Sequence, residues 1–395
     1  MKVAYTNCKG YDQAEVDAAV AEVLSSLGGI ESLVPKEAKV FVKANLVRDM
    51  APEQAGTTHP AVLTAVAKQL IDKCGASVVI GDSSGGAYTK GYMNTVYAKC
   101  GLVPVAEQTG ATLNQDFSFA NVDMGGVKIK NMDVISAFLD ADVVVNVTKL
   151  KTHSFAGYTG AVKNLYGLIP GLVKVQVHSR FPDLGDFCDA LVDIEQFASK
   201  KIVLHVIDAV IGMEGAGPTN GKPRFIGKIF ASQNPYLLDV AAVSLFDDPF
   251  NMPLLMKAVE RGVLKRDLSD MECDLEALKK DFIADYDKVE AVAGSTFFVN
   301  FVHLPKFVEK LLAKNLSPRV SMTKKCRACG KCKTHCPAQA IEIKNKRARV
   351  DQKKCIHCFC CQELCPFDAV KLKKPLLYKV TRRLSRSKAQ KANNS

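Results

Sequence analysis

Two short runs of the chain carry the residue types and spacing that most constrain its chemistry. They read Cys326-Arg-Ala-Cys329-Gly-Lys-Cys332-Lys-Thr-His-Cys336-Pro337 and Cys355-Ile-His-Cys358-Phe-Cys-Cys361-Gln-Glu-Leu-Cys365-Pro366. Both fit C-x2-C-x2-C-x3-C-P. Three thiolates at two-residue gaps wrap one face of an iron–sulfur cube, and the fourth follows a helical turn that carries it to a second cube. The spacing therefore predicts two [4Fe–4S] clusters. One takes Cys326, Cys329, Cys332 and Cys365; the other takes Cys355, Cys358, Cys361 and Cys336. A pair of structural zinc sites is the alternative, but zinc ligands come as two pairs across a longer loop. That leaves the third cysteine and the proline unexplained.

The second run starts 29 residues after the first. The match extends past the ligands, with Lys324-Lys325 repeated as Lys353-Lys354 and Ala340–Ile343 as Ala369–Leu372. This is an internal duplication. Cys360 is a ninth thiol that the pattern does not require. It is expected to be a bystander beside the cluster, with competition for a ligand position as the alternative.

Composition agrees with a metal-binding use of cysteine. Nine of the 14 cysteines fall between Cys326 and Cys365, and clustered cysteines in a reducing compartment bind metal. Cys8, Cys74, Cys100, Cys188 and Cys273 are scattered and are expected to be small buried apolar residues. The N-terminus lacks a basic segment followed by an apolar run. No apolar stretch reaches the roughly 18 residues of a membrane span. The expectation is a cytoplasmic protein. Charge is uneven: residues 319–395 hold 21 Lys+Arg against 4 Asp+Glu, so the overall +12 is a +17 end on a −5 body.

Residues 12–27 place Val16, Val20, Val23, Leu24 and Leu27 on one helical face. A second helix is expected to start at Pro60. Apolar runs at Lys39–Lys43, Ser77–Gly81, Asp142–Val147, Ile202–Ile207 and Phe225–Phe230 read as buried strands. Such strands between helices predict an α/β fold, a mostly parallel sheet with helices on both faces. To this is added a small α+β ferredoxin-like domain. The expected division is 1–295 for the α/β domain, 296–318 for a linker with a helix at Lys306–Lys314, 319–372 for the two-cluster domain and 373–395 for a basic tail.

Ligands of such sheets bind beyond the carboxyl ends of the strands. Polar residues gather there: Lys43, Asn45 and Arg48, then Asp82 and Ser83, then Lys149, Lys151 and His153, then Asp208 and Glu214. Lys163, Asn164 and His178 follow close by in sequence. Lys43, Lys149, Lys151 and Lys163 predict a cationic pocket for a carboxylate or phosphate. Lys151, His153, Lys163 and His178 are the candidate catalytic residues, the imidazoles because they titrate near neutrality. Lys43, Asn45, Asp82, Ser83, Lys149, Asn164 and Glu214 are candidate ligand-binding residues. The turn Gly81–Gly86 is neither a P-loop nor a dinucleotide fingerprint, so no ATP, NAD or FAD is expected.

Five stretches carry a family resemblance: Lys43-Ala-Asn-Leu46, Gly81-Asp-Ser-Ser-Gly85, Lys149-Leu-Lys-Thr-His153, Val162-Lys-Asn-Leu-Tyr-Gly167 and Gly212-Met-Glu-Gly-Ala-Gly-Pro218. They resemble the family designated domain of unknown function 362, whose members are often fused to a C-terminal two-cluster ferredoxin module. The resemblance implies a fold and a pocket and lends no substrate.

Three functions follow as expectations. The first is a redox enzyme in which the clusters pass low-potential electrons to or from an anionic ligand in the α/β domain. The second is an electron-transfer adaptor between proteins. The third is a cofactor or metal-centre maturation protein. A redox partner protein is expected, and nucleic acid is not, because the basic residues surround clusters without an aromatic stacking platform. Leu376, Leu377, Val380 and Leu384 would give the basic tail one apolar face, suited to an acidic partner or an anionic membrane surface, with a frayed solvated tail as the equal alternative.

Overall fold

The computed structural model describes residues 1–289 and 318–373. The body runs β1 (Val3–Asn7), α1 (Gln13–Ser26), β2 (Lys39–Lys43), α2 (Pro60–Cys74), β3 (Ser77–Gly81), α3 (Lys90–Lys99), α4 (Leu102–Thr109) and β4 (Thr112–Leu113). It continues through β5 (Phe119–Asp123), β6 (Asn131–Ile135), α5 (Ser136–Leu139), β7 (Val143–His153), β8 (Gly157–Thr159), α6 (Ala161–Asn164), α7 (Val173–Arg180) and α8 (Leu184–Ala198). β9 (Ile202–Glu214), β10 (Lys222–Ser232), α9 (Pro235–Val243), α10 (Pro253–Glu260) and α11 (Leu275–Lys279) complete it.

The main sheet has the order β1-β10-β9-β7-β2-β3-β4, with β8 paired to β7. Its centre, β9-β7-β2-β3-β4, is parallel. β10 and β1 add an antiparallel edge, and β8 is also antiparallel. In β2 every residue after Lys39 is buried, so both faces of the sheet are covered, as parallel strands require. α1, α2 and α4 pack as one group, and α6, α8, α9 and α10 as another.

Local sequence explains the element ends. Asp12 accepts from the amides of Ala14 and Glu15 to start α1. Pro60 opens α2, and Gly75 closes it in the left-handed conformation. β7 and β9 run well past the expected ends at Val147 and Ile207. Their polar C-terminal halves, which include Lys149, Lys151, His153 and Asp208, are buried strand. The register between β7 and β9 slips between Lys149 and Lys151, and such an irregularity re-aims the side chains that follow it.

The cysteine-rich module forms β11 (Arg319–Met322), α12 (Lys331–Thr334), β12 (Ile341–Lys344), β13 (Arg347–Val350), α13 (Cys360–Glu363) and β14 (Val370–Lys373). β11 pairs with β14, and β12 with β13, both antiparallel. Asn345 and Lys346 link β12 to β13 with φ of 51° and 56°, the two left-handed residues of a type I′ hairpin. The connector helix expected at Lys306–Lys314 and the tail beyond Lys373 lie outside the described residues.

Candidate iron–sulfur centres and an adjoining cavity

The duplication is visible in the backbone. Ala328 and His357 are left-handed (φ 53° and 55°), as are Gly330 and Phe359 (83° and 60°) and Gln339 and Asp368 (both 48°). Each pair is 29 residues apart. These turns wrap each loop around a cavity. Cys326, Cys329, Cys332 and Cys365 line one, and Cys336, Cys355, Cys358 and Cys361 line the other. Backbone amides point at the sulfurs: Ala340 N donates to Cys336 Sγ at 3.2 Å, Ala369 N to Cys365 Sγ at 3.3 Å, and Ala348 N to Cys326 Sγ at 3.4 Å. Four thiols round one space, with amide donors that stabilise their negative charge, fit a [4Fe–4S] cluster in each cavity. Cys360 is buried and lines the second cavity as well.

The second run docks on the body. His153 Nε2 lies 3.3 Å from Glu363 Oε1, Gln362 Nε2 donates to Ala216 O at 3.3 Å, and Arg48 reaches Asp368 at 3.7 Å. The Phe359 ring stands edge-on to Phe155, 6.4 Å between centroids. Between the two parts is a further cavity of about 90 Å³, partly open to solvent. Lys151, His153, Thr159, Lys163, His178 and Asn45 line it from the body, and Cys360, Glu363 and Leu364 from the module.

α6 carries Lys163 and Asn164 into this space. Its N-terminus is held by the buried Asp239 carboxylate of α9, which accepts from Ala161 N (2.5 Å), Val162 N (3.2 Å) and Tyr158 OH (2.9 Å). Asn164 is fixed on both sides: its Oδ1 accepts from Asn45 Nδ2 at 2.5 Å, and its Nδ2 donates to Asn146 Oδ1 at 2.8 Å. A Cβ at Gly167 would collide with Asp82 and Lys43, so glycine is required there.

The histidines are neutral. His153 Nδ1 accepts from the amides of Phe155 and Ala156, both at 3.2 Å, which leaves the proton on Nε2, toward Glu363. Burial holds the His153 pKa well below its ordinary value, helped by Lys163, His178 and Lys151. Burial and then Lys163 push His178 down to about 3. Its ring is stacked on Phe187, and its Nδ1 has no partner among the described residues. Thr159 Oγ1 and Asn45 Oδ1 are likewise buried without a partner among the described residues.

The lysines divide into two kinds. Lys43 meets Asp82 at 2.6 Å, and Lys149 meets Asp208 at 2.7 Å and Tyr11 Oη at 2.7 Å. Burial pushes Lys43 down and Asp82 up, and their contact opposes both shifts. Lys151 and Lys163 have no carboxylate in salt-bridge range among the described residues. Lys151 Nζ donates to Gly56 O. Burial, then the charge of Lys163, lowers Lys151 to about 7. Burial also lowers Lys163.

Two family profiles match the sequence. "Domain of unknown function (DUF362)" covers residues 40–244, and "4Fe-4S dicluster domain" covers 319–366. The chain belongs to the DUF362 family. It carries a fused ferredoxin-type module with two [4Fe–4S] clusters. A curated relative, the thylakoid-associated protein sll1697 of Synechocystis sp., is 30% identical over 267 residues, which are 66% of this chain and 78% of the relative. Two solved structures are similar at a distance. The lactate racemase apoprotein from Thermoanaerobacterium thermosaccharolyticum matches at TM-score 0.39 and 14% identity, over 58% of this chain and 54% of that one. A Thermotoga maritima protein matches at TM-score 0.33 and 12% identity, over 55% of each. The chain thus spans about half the length of these two. No helix among the described residues is long and apolar enough to cross a membrane.

The DUF362 region and the module together place the sequence candidates. Lys151, His153, Lys163, His178, Asn45, Asp82, Ser83 and Asn164 line the cavity. Lys43 and Lys149 do not; their charges are spent on Asp82 and Asp208 inside the sheet. Glu214 also lies away, where it accepts from Asp287 N at 3.1 Å. The expected pocket of four lysines is therefore Lys151 and Lys163, joined by Lys174, which sequence reasoning missed. Lys174 Nζ donates to Ser83 O, Ser84 O and Ile169 O at 2.8, 3.2 and 2.6 Å and so pins the Gly81–Gly86 turn. Burial lowers it to about 7, with Asp82 opposing. Glu363 was missed as well, although its place beside Cys361 in the second run was a signal that it sits near a cluster. Cys8, Cys74, Cys100 and Cys188 are buried, and Cys273 is only partly so.

Proposed function

We propose that the chain is an iron–sulfur redox protein whose ferredoxin module exchanges electrons with a small anionic ligand held in the cavity between module and body. The observation that carries this reading is the make-up of the cavity wall. Two lysines without carboxylate partners face Cys360 and Glu363 of the second cysteine run. A ligand there lies against the loop that holds Cys358 and Cys361. Bound in their cysteine cradles, the clusters supply one-electron chemistry at low potential.

The protein's own groups do the rest. Lys151 and Lys163 balance the ligand's negative charge in a site where burial strengthens the attraction. Asn45 Oδ1 and Thr159 Oγ1 orient it. His153 presents an N–H at Nε2, fixed by two backbone amides on the other nitrogen, and as a neutral imidazole it donates a hydrogen bond to the ligand's negative oxygen. Docking of the module over the cavity limits water.

The test is anaerobic. The purified protein is reduced, and a panel of carboxylates and phosphates is screened for thermal stabilisation and for reoxidation of the clusters. A compound that does both supports the proposal. Stabilisation without reoxidation reduces the protein to a binding role. Reoxidation by proteins alone makes it an adaptor. No effect of Lys151→Gln on an anion's stabilisation removes the cavity from the reading.

A further inference from the structure

The two copies of the cysteine run have diverged at the positions between their ligands. Arg327, Lys331 and Lys333 of the first copy become Ile356, Cys360 and Gln362 of the second. In the second copy Cys360 and Gln362 are buried, and Gln362 binds the body through Ala216 O. In the first copy Arg327, Lys331 and Lys333 are exposed. One ligand pair shows the division most sharply: Cys329 is exposed, whereas Cys358, its counterpart, is buried. Between Arg319 and Ile341 there are six basic residues, all exposed, and no acidic residue. Phe367, 41% exposed, stands on the rim of the same cavity as Arg327 and Lys331.

From this asymmetry we infer that the first cysteine run is a docking surface for an acidic one-electron carrier protein, seated over Cys329. A cationic rim steers and orients an anionic partner, and its pull weakens with salt. Of the eight ligand cysteines only Cys329 is exposed, so it offers a protein-bound redox centre an open edge of the module. Phe367 gives the rim one aromatic contact inside a charged ring, the usual make-up of an interface centre. One ring is too little apolar surface for membrane insertion, which uses a whole helix face. The inference rests on the proposed function only for the fate of the electrons; docking does not involve the cavity.

The experiment measures binding of the full-length, cluster-loaded protein to an immobilised acidic plant-type [2Fe–2S] ferredoxin as a probe. Binding is expected to weaken about tenfold or more between low and physiological salt. Arg327→Glu with Lys331→Glu should weaken it at least about tenfold, and the milder Arg327→Gln with Lys331→Gln by a smaller factor. Lys353→Glu with Lys354→Glu, the same charge change on the second copy, should leave it within about threefold. Unchanged visible absorbance and iron content show that each variant holds its clusters, and the glutamine pair serves if the glutamate pair does not. Equal losses at both sites, no binding at low salt, or binding of anionic phospholipid vesicles through Arg327 and Lys331 in place of the ferredoxin would overturn the inference. Because the cavity is untouched in every variant, anion-induced stabilisation reports on the proposed function separately.

Discussion

Phe359 adopts the left-handed backbone that Gly330 adopts 29 residues earlier, with φ of 60° against 83°. Glycine takes this conformation freely, whereas a non-glycine residue there costs about 1–3 kcal/mol. The cost is offset because the Phe359 ring is almost fully buried and meets Phe155 of the body. The same turn therefore serves cluster wrapping in both copies and docking in one.

Phe359→Gly should relax the turn and remove the anchor. Loss of a buried phenylalanine side chain costs about 3–5 kcal/mol, so after the strain is relieved the net destabilisation should be about 2 kcal/mol. Limited proteolysis should then release the module from the body. A variant as resistant as the parent would show that the ring is not the anchor.

Cys360→Ala should keep the iron and sulfide content near about eight each per chain, because two sets of four cysteines line the cavities without it. Cys361→Ala should lose iron. Cys336→Ser, although in the first run, should alter the cluster of the second. Electron paramagnetic resonance of the reduced protein distinguishes the two centres. Loss of iron in the Cys360 variant would reassign a ligand.

Anion binding should depend on pH through Lys151 and Lys174. Both are lowered from 10.5 to about 7, first by burial. Their folded pKa lies below the unfolded one, so between these values the unfolded chain holds protons that the folded chain lacks. Stability therefore rises with pH across that window. Positive charge in the cavity falls over the same rise through about 7. Thermal stabilisation by a bound carboxylate should be greater at about pH 6 than at about pH 8, by about tenfold in affinity. Lys151→Gln should be weaker at both and flatter between them. A slope unchanged in that variant would remove Lys151 from the site.

Asp239→Ala should leave the amides of Ala161 and Val162 and the Tyr158 hydroxyl without their acceptor. Unsatisfied buried donors cost about 1–3 kcal/mol each, so a loss of about 3 kcal/mol or more is expected in denaturant unfolding. Asp239→Asn keeps the shape and an acceptor and should recover part of it. If α6 is what aims Lys163, anion binding should fall in both variants.

The cysteine pattern was legible because its constraints are local: ligands three residues apart, a proline, a repeat. β2 and β3 were legible as unbroken apolar runs. The polar halves of β7 and β9 were not, since Lys149, Lys151 and His153 read as loop residues. They are strand because β8 pairs with Lys151, Thr152 and His153 and because Asp208 neutralises Lys149. That neutralisation is also why the expected four-lysine pocket shrank: the partners of Lys43 and Lys149 are far away in sequence. The β1 strand went unread because its five residues carry no strong alternation. Lys174 and Glu363 gain their positions only when distant segments close on one another, and no local periodicity records that.

The lid of the cavity is also the cradle of a cluster: Cys360, Glu363 and Leu364 lie between Cys358 and Cys365. Loss of iron from the cysteines would slacken this segment and open the cavity wall in the same event.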